Sequence, residues 1–172
     1  MPMPGPYELY LIRHAVAEER SEEWPDDTKR PLTDEGIARM RKNARGLVRL
    51  GVTLDVVLTS PLVRTRQTAD ILAAAFESRP PVVAFDALAP GASHDLVLAD
   101  LEKQSRRTRI ALVGHEPGIG ELAARLVGSR RAFEFKKGAA CRIDMESLAP
   151  GGPGALRWFL TPRILRSITK AS

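Results

Sequence analysis

Arg13 and His14 stand directly after a short apolar run, Leu9-Tyr10-Leu11-Ile12. A second histidine, His115, follows another such run, Ile110 to Val113, with one glycine between. A second arginine, Arg64, sits just beyond a third run, Leu54 to Leu58, in the stretch Thr59-Ser60-Pro61-Leu62-Val63-Arg64. An imidazole can act as a nucleophile, and a guanidinium fork matches phosphate oxygens. Two of each around one point would make a phosphate pocket, with strong donors, positive charge and a nitrogen lone pair. Any one of them alone reads equally well as a polar residue ending a strand. Recurrence at three apolar run ends is what points to a site.

The elements that would bring these residues together are legible in the pattern. Leu9 to Ile12, Leu54 to Leu58, Val82 to Phe85 and Ile110 to Val113 read as buried strands. Amphipathic stretches lie between them. Ile37, Met40, Ala44, Leu47 and Val48 share one helical face, and Leu62, Thr65, Ala69, Leu72 and Phe76 another. Ile119, Leu122, Ala123, Leu126 and Val127 make a third, and the stretch from His94 to Leu101 a less regular fourth. Strand and helix in alternation imply crossover units and a mainly parallel sheet, an α/β class. In such sheets ligands bind beyond the carboxyl ends of the strands. Near the end the pattern changes. Cys141 to Met145 and Leu156 to Leu160 flank Pro150-Gly151-Gly152-Pro153-Gly154, which reads as a hairpin. Pro162 then opens a final helix over Arg163 to Lys170.

Local chemistry refines the strand exits. Ser60 is a natural N-cap, and Pro61 suits a first helical position, which would put Arg64 in the first turn beside free amides. Gly114 would allow a tight turn, and Pro117 would open the next helix. Both place His115 at the rim that His14 occupies.

Length and composition bound the rest. The chain has 172 residues, 44% hydrophobic and 27% charged. These values suit one compact domain over 1–172, with residues 1–6 as a flexible tail. No apolar stretch is long enough for a membrane span, and the N-terminus lacks the charge and apolar core of a signal peptide. The single cysteine, Cys141, allows no internal disulfide and fits a reducing cytoplasm. A net charge of +5 favours an anionic partner weakly. The basic residues are scattered, and aromatic residues are few, which argues against nucleic acid. The three histidines offer no metal-binding pair at i, i+4, so no metal or cofactor is expected.

The ordered set of residues resembles the histidine phosphatase superfamily, which includes the cofactor-dependent phosphoglycerate mutases. Arg13-His14-Ala15 is similar to its Arg-His-Gly start, with alanine in place of glycine. Ser60, Arg64, Gln67 and Thr68 match its Ser-x-x-x-Arg-x-x-Gln-Thr signature, and Gly114-His115 its late histidine. The small bacterial phosphohistidine phosphatases of the SixA type are a closer likeness. Arg30-Pro31-Leu32-Thr33-Asp34-Glu35-Gly36, Leu88-Ala89-Pro90-Gly91 and Trp158-Phe159-Leu160-Thr161-Pro162 resemble their corresponding segments. The resemblance implies a three-layer α/β/α sandwich of phosphoglycerate mutase type.

It also implies roles. His14 attacks phosphorus and becomes a phosphohistidine, while Arg13, Arg64 and His115 bind the phosphoryl oxygens, His115 as cation or donor. The glutamate that protonates the leaving group in many superfamily members is missing after the third strand. Asp86, Glu18 and Glu116 are the carboxylates that could stand in. Weak acid assistance suits phosphohistidine better than a phosphate ester, because an imidazole leaves more readily than an alkoxide. The expected substrate is therefore a phosphorylated protein, such as a histidine-containing phosphotransfer domain. A small phosphorylated metabolite, of sugar-phosphate or ribazole-phosphate type, is the alternative. A mutase and a non-catalytic phospho-binding module are weaker ones. Glu18, Glu19, Glu22 and Glu23 read as a solvated loop, His94 as structural and Arg66 as outward-facing. Arg30 reads as a loop tether or a partner of Asp26 or Asp27.

Overall fold

The computed structural model describes residues 6–148 and 152–168. Among them the strands are β1 (Tyr7–Arg13), β2 (Val56–Thr59), β3 (Val82–Ala84), β4 (Arg109–Gly114), β5 (Ala140–Met145) and β6 (Ala155–Leu160). The helices are α1 (Asp34–Arg49), α2 (Val63–Ala74), α3 (His94–Glu102), α4 (Gly118–Val127) and α5 (Pro162–Ile168). One sheet runs in the order β3-β2-β4-β1-β5-β6. The four strands β1 to β4 pair in parallel, and β5 and β6 join antiparallel at one side. The α/β class and the mixed, mainly parallel sheet expected from the sequence are both present.

Alternation along β1 shows how the layers form. Leu9 and Leu11 enter one core with Leu58, Leu112, Val97, Leu101, Leu122 and Leu126. Tyr10 and Ile12 enter the other, with Met40, Ala44, Leu47, Leu72 and Leu165. Helices α3 and α4 therefore cover one face, and α1, α2 and α5 the other. Both faces of the central strands are buried, so their sequences are continuous apolar runs. Each fully buried leucine or isoleucine contributes about 1.5–3 kcal/mol relative to exposure.

Strand β2 starts at Val56 and not at Leu54. The Asp55 carboxylate accepts the Thr108 and Arg109 N–H groups at 3.0 and 2.9 Å, which fixes the start of the β2–β4 pairing. Helix α1 is capped by Thr33, whose Oγ1 accepts the Gly36 N–H at 2.9 Å. Asp34 and Glu35 in its first turn and Arg49 in its last complement the helix dipole. Pro150 and Gly151 of the expected hairpin turn lie outside the described residues, as do residues 1–5 of the expected tail and the end of the last helix. Among the described residues no helix is long and apolar enough to cross a membrane.

Gly36 lets α1 approach the segment that follows β1. A Cβ placed there would lie 2.1 Å from the Val16 carbonyl oxygen. Gly36→Ala is expected to destabilise the fold by about 1–3 kcal/mol, since the clash outweighs the better helix propensity of alanine. Urea unfolding reads this directly, and an unchanged midpoint would contradict the packing described.

Candidate active site

Strand register brings the distant residues together. Arg13 pairs with Gly114 across β1 and β4, so His14 and His115 leave the sheet side by side. Thr59 pairs with Val113, which puts Ser60 on the other side of the same exit. Backbone bonds continue the pairing past the strand ends, from His14 N–H to Gly114 O at 3.0 Å and from Ser60 N–H to Val113 O at 3.1 Å. The two imidazole centroids are 5.3 Å apart.

His14 is buried, and its Nδ1 lies 2.7 Å from the Ala15 carbonyl oxygen. A carbonyl only accepts, so Nδ1 carries the proton and Nε2 keeps the lone pair. Burial, opposed by this bond and aided by Arg64, Arg13 and Lys137, pushes the His14 pKa down to about 4. The ring is therefore neutral at pH 7. The Ala15 N–H donates to Thr68 Oγ1 at 3.0 Å. Among the described non-glycine residues only Arg79 has a positive φ, so Ala15 fills the glycine position of the motif without backbone strain.

Ser60 does not cap α2 as expected. The cap position is Leu62, and the helix starts at Val63. The Ser60 hydroxyl lies instead 2.7 Å from His115 Nε2. A partner from 55 residues away has displaced the local bond, leaving only a long contact from the Leu62 N–H at 3.4 Å. His115 is buried, with Nδ1 unpartnered. Burial, then His14 and Arg64, push its pKa down to about 3. At neutral pH it is thus an uncharged ring. Pro117 is the cap of α4 and not its first residue, and Gly114 has no positive φ, so a conformational need for glycine does not explain it.

Arg64 falls in the first turn of α2, as expected. Its side chain is buried and held at both ends of its fork. Nη1 donates to the Asp27 carbonyl at 2.8 Å and Nη2 to the Asp27 carboxylate at 3.1 Å, while Nε has no partner. Arg13 donates from Nη1 to the Phe135 carbonyl at 2.7 Å, and its Nε is also buried and unpartnered. Arg30 fulfils both roles considered for it. It donates to Asp27 Oδ1 at 2.9 Å and to the Glu18 carbonyl at 2.6 Å, tying the loop beside the cleft. Burial works against the Asp27 charge, but Arg30, Arg64 and Arg20 outweigh it and hold the carboxyl below its ordinary value. Two signature residues hold the loops. Gln67 Oε1 accepts the Leu32 N–H at 2.7 Å, and Thr68 donates to the Arg64 carbonyl at 2.8 Å while receiving Ala15.

These residues line one open cleft of about 370 Å³, with Arg13, His14, Arg64, His115, Asp27, Arg30, Lys137 and Glu116 on its walls. Glu18 and Glu19 stand exposed at its rim, and Asp86 is not among the lining residues. Of the three carboxylates considered as acids, Asp86 is thus the one that does not line the cleft. Burial raises the Glu116 pKa, but its Oε1 is taken by the Gly120 N–H at 2.8 Å. His94 lies 3.8 Å from Glu121, outside the cleft lining, and Arg66 pairs with Asp70 on the surface. Among the described residues no group of three or more His, Cys, Asp or Glu is arranged to hold a metal ion. Sequence reasoning missed the roles of Ser60, Phe135 and Lys137, none of which a local signal announces.

The two depressed histidines have a consequence for stability. Unfolded, they ionise near 6.5. The folded chain takes up fewer protons below that pH than the unfolded chain does. Their stabilisation is full above about pH 6.5 and is lost as pH falls toward 4 and then 3, by on the order of 8 kcal/mol in all. Thermal unfolding should show a steep decline between pH 7 and 4. His115→Asn, which removes one of the two groups, should make it shallower. Equal slopes would contradict the burial of His115 as a neutral ring.

The model of the histidine phosphatase superfamily (branch 1) matches residues 9–89. An uncharacterized protein of Picosynechococcus sp. is 44% identical over 118 residues, which cover 67% of this chain and 70% of that protein. Phosphohistidine phosphatase SixA of Escherichia coli is 24% identical over 157 residues, 90% of this chain and 94% of the relative. A solved structure of the protein histidine phosphatase SixA complexed with tungstate aligns with a TM-score of 0.80 at 25% identity, covering 92% of this chain and 99% of that one. The strand-exit geometry and these likenesses agree, and the chain belongs to the histidine phosphatase superfamily.

Proposed function

We propose that this protein is a metal-independent phosphatase acting on phosphorylated substrates, protein phosphohistidine foremost, through a phosphohistidine formed on His14. One observation carries the reading. Residues lining a single cleft offer a free imidazole lone pair on His14 Nε2 and three buried nitrogens without a partner, Arg13 Nε, Arg64 Nε and His115 Nδ1. Such orphaned groups are costly unless a ligand satisfies them. A tetrahedral oxyanion does so.

The chemistry proceeds in two displacements. The Nε2 lone pair of His14 attacks phosphorus and forms a P–N bond. The bond to the leaving group breaks, and its electron pair departs with the leaving nitrogen or oxygen, which takes a proton from solvent. Water then attacks phosphorus, the P–Nε2 bond breaks, and the pair returns to His14. The proton of the water passes to solvent, and phosphate leaves. Arg13 and Arg64 hold the equatorial oxygens, and each such donor is worth about 100- to 1,000-fold in rate. With the Ser60 hydroxyl donating to His115 Nε2, the ring proton sits on Nδ1 and makes it the third donor. The arginines supply the positive charge that a metal ion would otherwise supply.

Two of the cleft carboxylates favour a nitrogen leaving group. Asp27 is held ionised by arginines, and Glu116 is engaged by backbone, so neither is poised to protonate an alkoxide. An imidazole, which ionises near neutral pH, needs less help. The names of the SixA relatives point the same way. A phosphorylated histidine-containing phosphotransfer domain fits as partner, and the buried free thiol of Cys141 suits a cytoplasmic setting.

The test compares a phosphohistidine peptide with a sugar phosphate ester at neutral pH, with and without EDTA. The expected result is at least about tenfold higher kcat/KM for the P–N substrate, unchanged by chelation. Preference for the ester would make the protein a small-molecule phosphomonoesterase. Binding without turnover would make it a phospho-binding module, and loss of activity with EDTA would overturn the metal-free mechanism.

A further inference from the structure

We propose that Glu116 positions Arg13 by way of the segment 133–139, and that it does not serve as the proton donor of the reaction. The inference rests on the phosphatase reading of the cleft.

Arg13 is gripped by that segment along its whole length. Its N–H donates to the Ala139 carbonyl at 3.2 Å, and its own carbonyl accepts the Gly138 N–H at 3.1 Å. Its Nη1 donates to the Phe135 carbonyl at 2.7 Å. The grip is only as firm as the placement of Phe135. The Phe135 ring is buried against Phe159, with centroids 4.8 Å apart. The Glu116 carboxylate accepts the Gly120 N–H on Oε1 at 2.8 Å, and the nearby Phe135 backbone favours its charge. Phe133 N–H completes the seam by donating to the Gly120 carbonyl at 3.1 Å.

Gly120 is a second, independent sign that this seam is built for close approach. A Cβ there would lie 1.9 Å from the Phe133 carbonyl oxygen and 2.8 Å from Glu116 Oε1. The segment is thus pressed flat on the start of α4, at the one residue, Gly120, that Glu116 holds by its N–H and Phe133 by its carbonyl. Phe135 holds Arg13 on its carbonyl, two residues from the Phe133 that is bonded to Gly120. The Glu116 charge also lies close enough to favour the Arg13 cation. With Nη1 fixed in this way, the unpartnered Nε is held in place for a phosphoryl oxygen.

The experiment uses E116A and E116Q, alone and combined with R13A. Each is assayed on p-nitrophenyl phosphate, whose leaving group needs no acid, and on a sugar phosphate, whose leaving group does. A positioning residue gives a 10- to 100-fold fall in kcat/KM for E116A, equal on both substrates. E116Q, which keeps an accepting oxygen, recovers most of that loss. In the R13A background E116A adds less than about twofold, because the two changes share one path. The proposal is overturned if E116Q fails on the sugar phosphate but not on p-nitrophenyl phosphate, which marks a proton donor. It is overturned equally if E116A costs as much without Arg13 as with it. Should the wild-type chain turn over neither ester, the phosphatase reading is what has failed for esters. Tungstate-induced thermal stabilisation then reads anion binding without turnover, with E116A weakened and E116Q near wild type if the proposal holds, and all three alike if it does not.

Discussion

His14→Ala is expected to lower turnover by at least about 10,000-fold while the fold and anion binding persist. The size follows from losing a nucleophile, since the remaining donors can hold the substrate but cannot replace the bond-forming step. Its retention of fold follows from local geometry. The His14 ring bonds only to the carbonyl of the next residue, and its removal leaves the strand pairing between Arg13 and Gly114 untouched. Tungstate should still raise the melting temperature of the variant, because Arg13, Arg64 and His115 remain. Activity within tenfold of wild type would show that the phosphoryl group never passes through His14.

Arg64→Ala is expected to cost about 100- to 1,000-fold in kcat/KM, the value of a positioned oxyanion donor. The same change removes two of the bonds that hold Asp27, leaving Arg30 and Arg20 to fix the loop. Arg64→Lys should recover little. A single ammonium cannot grip Asp27 through two nitrogens and still present a third donor to the cleft. Wild-type activity in Arg64→Lys would mean that charge alone, and not the fork, is what the site requires. A loop effect separates from a phosphate effect by comparison with Asp27→Asn, which weakens the loop contact but leaves the Arg64 donor in place.

The residues that converge on the cleft were legible because each sits at an abrupt change of pattern. Apolar runs stop at Arg13, Thr59 and Gly114, and strand ends in an α/β sheet are where ligands bind. Arg64 was legible from its place in the first turn of a helix. Register then explains their convergence, and register is a property of the whole sheet that no single segment contains. Ser60 shows the limit. Local rules make Ser-Pro a helix start, yet the hydroxyl bonds a histidine 55 residues on, so a tertiary contact overrides the cap. Asp27 shows another. Its nearness to Arg30 in the chain was visible, but its hold on Arg64 across 37 residues was not. Phe135 was hidden more completely, since it acts through its backbone and a backbone carbonyl leaves no mark in composition. Strand edges shifted by one or two residues where side chains such as Asp55 terminate the ladder.

The account turns on a covalent intermediate at one nitrogen. Rapid quenching of the protein with a radiolabelled phosphohistidine substrate, followed by peptide mapping under alkaline conditions, tests it most directly. The account predicts transient label on the peptide holding His14, stable to alkali and lost in acid, and absent in His14→Ala. Turnover with no label on the protein, or label residing on His115 or His94, would contradict it.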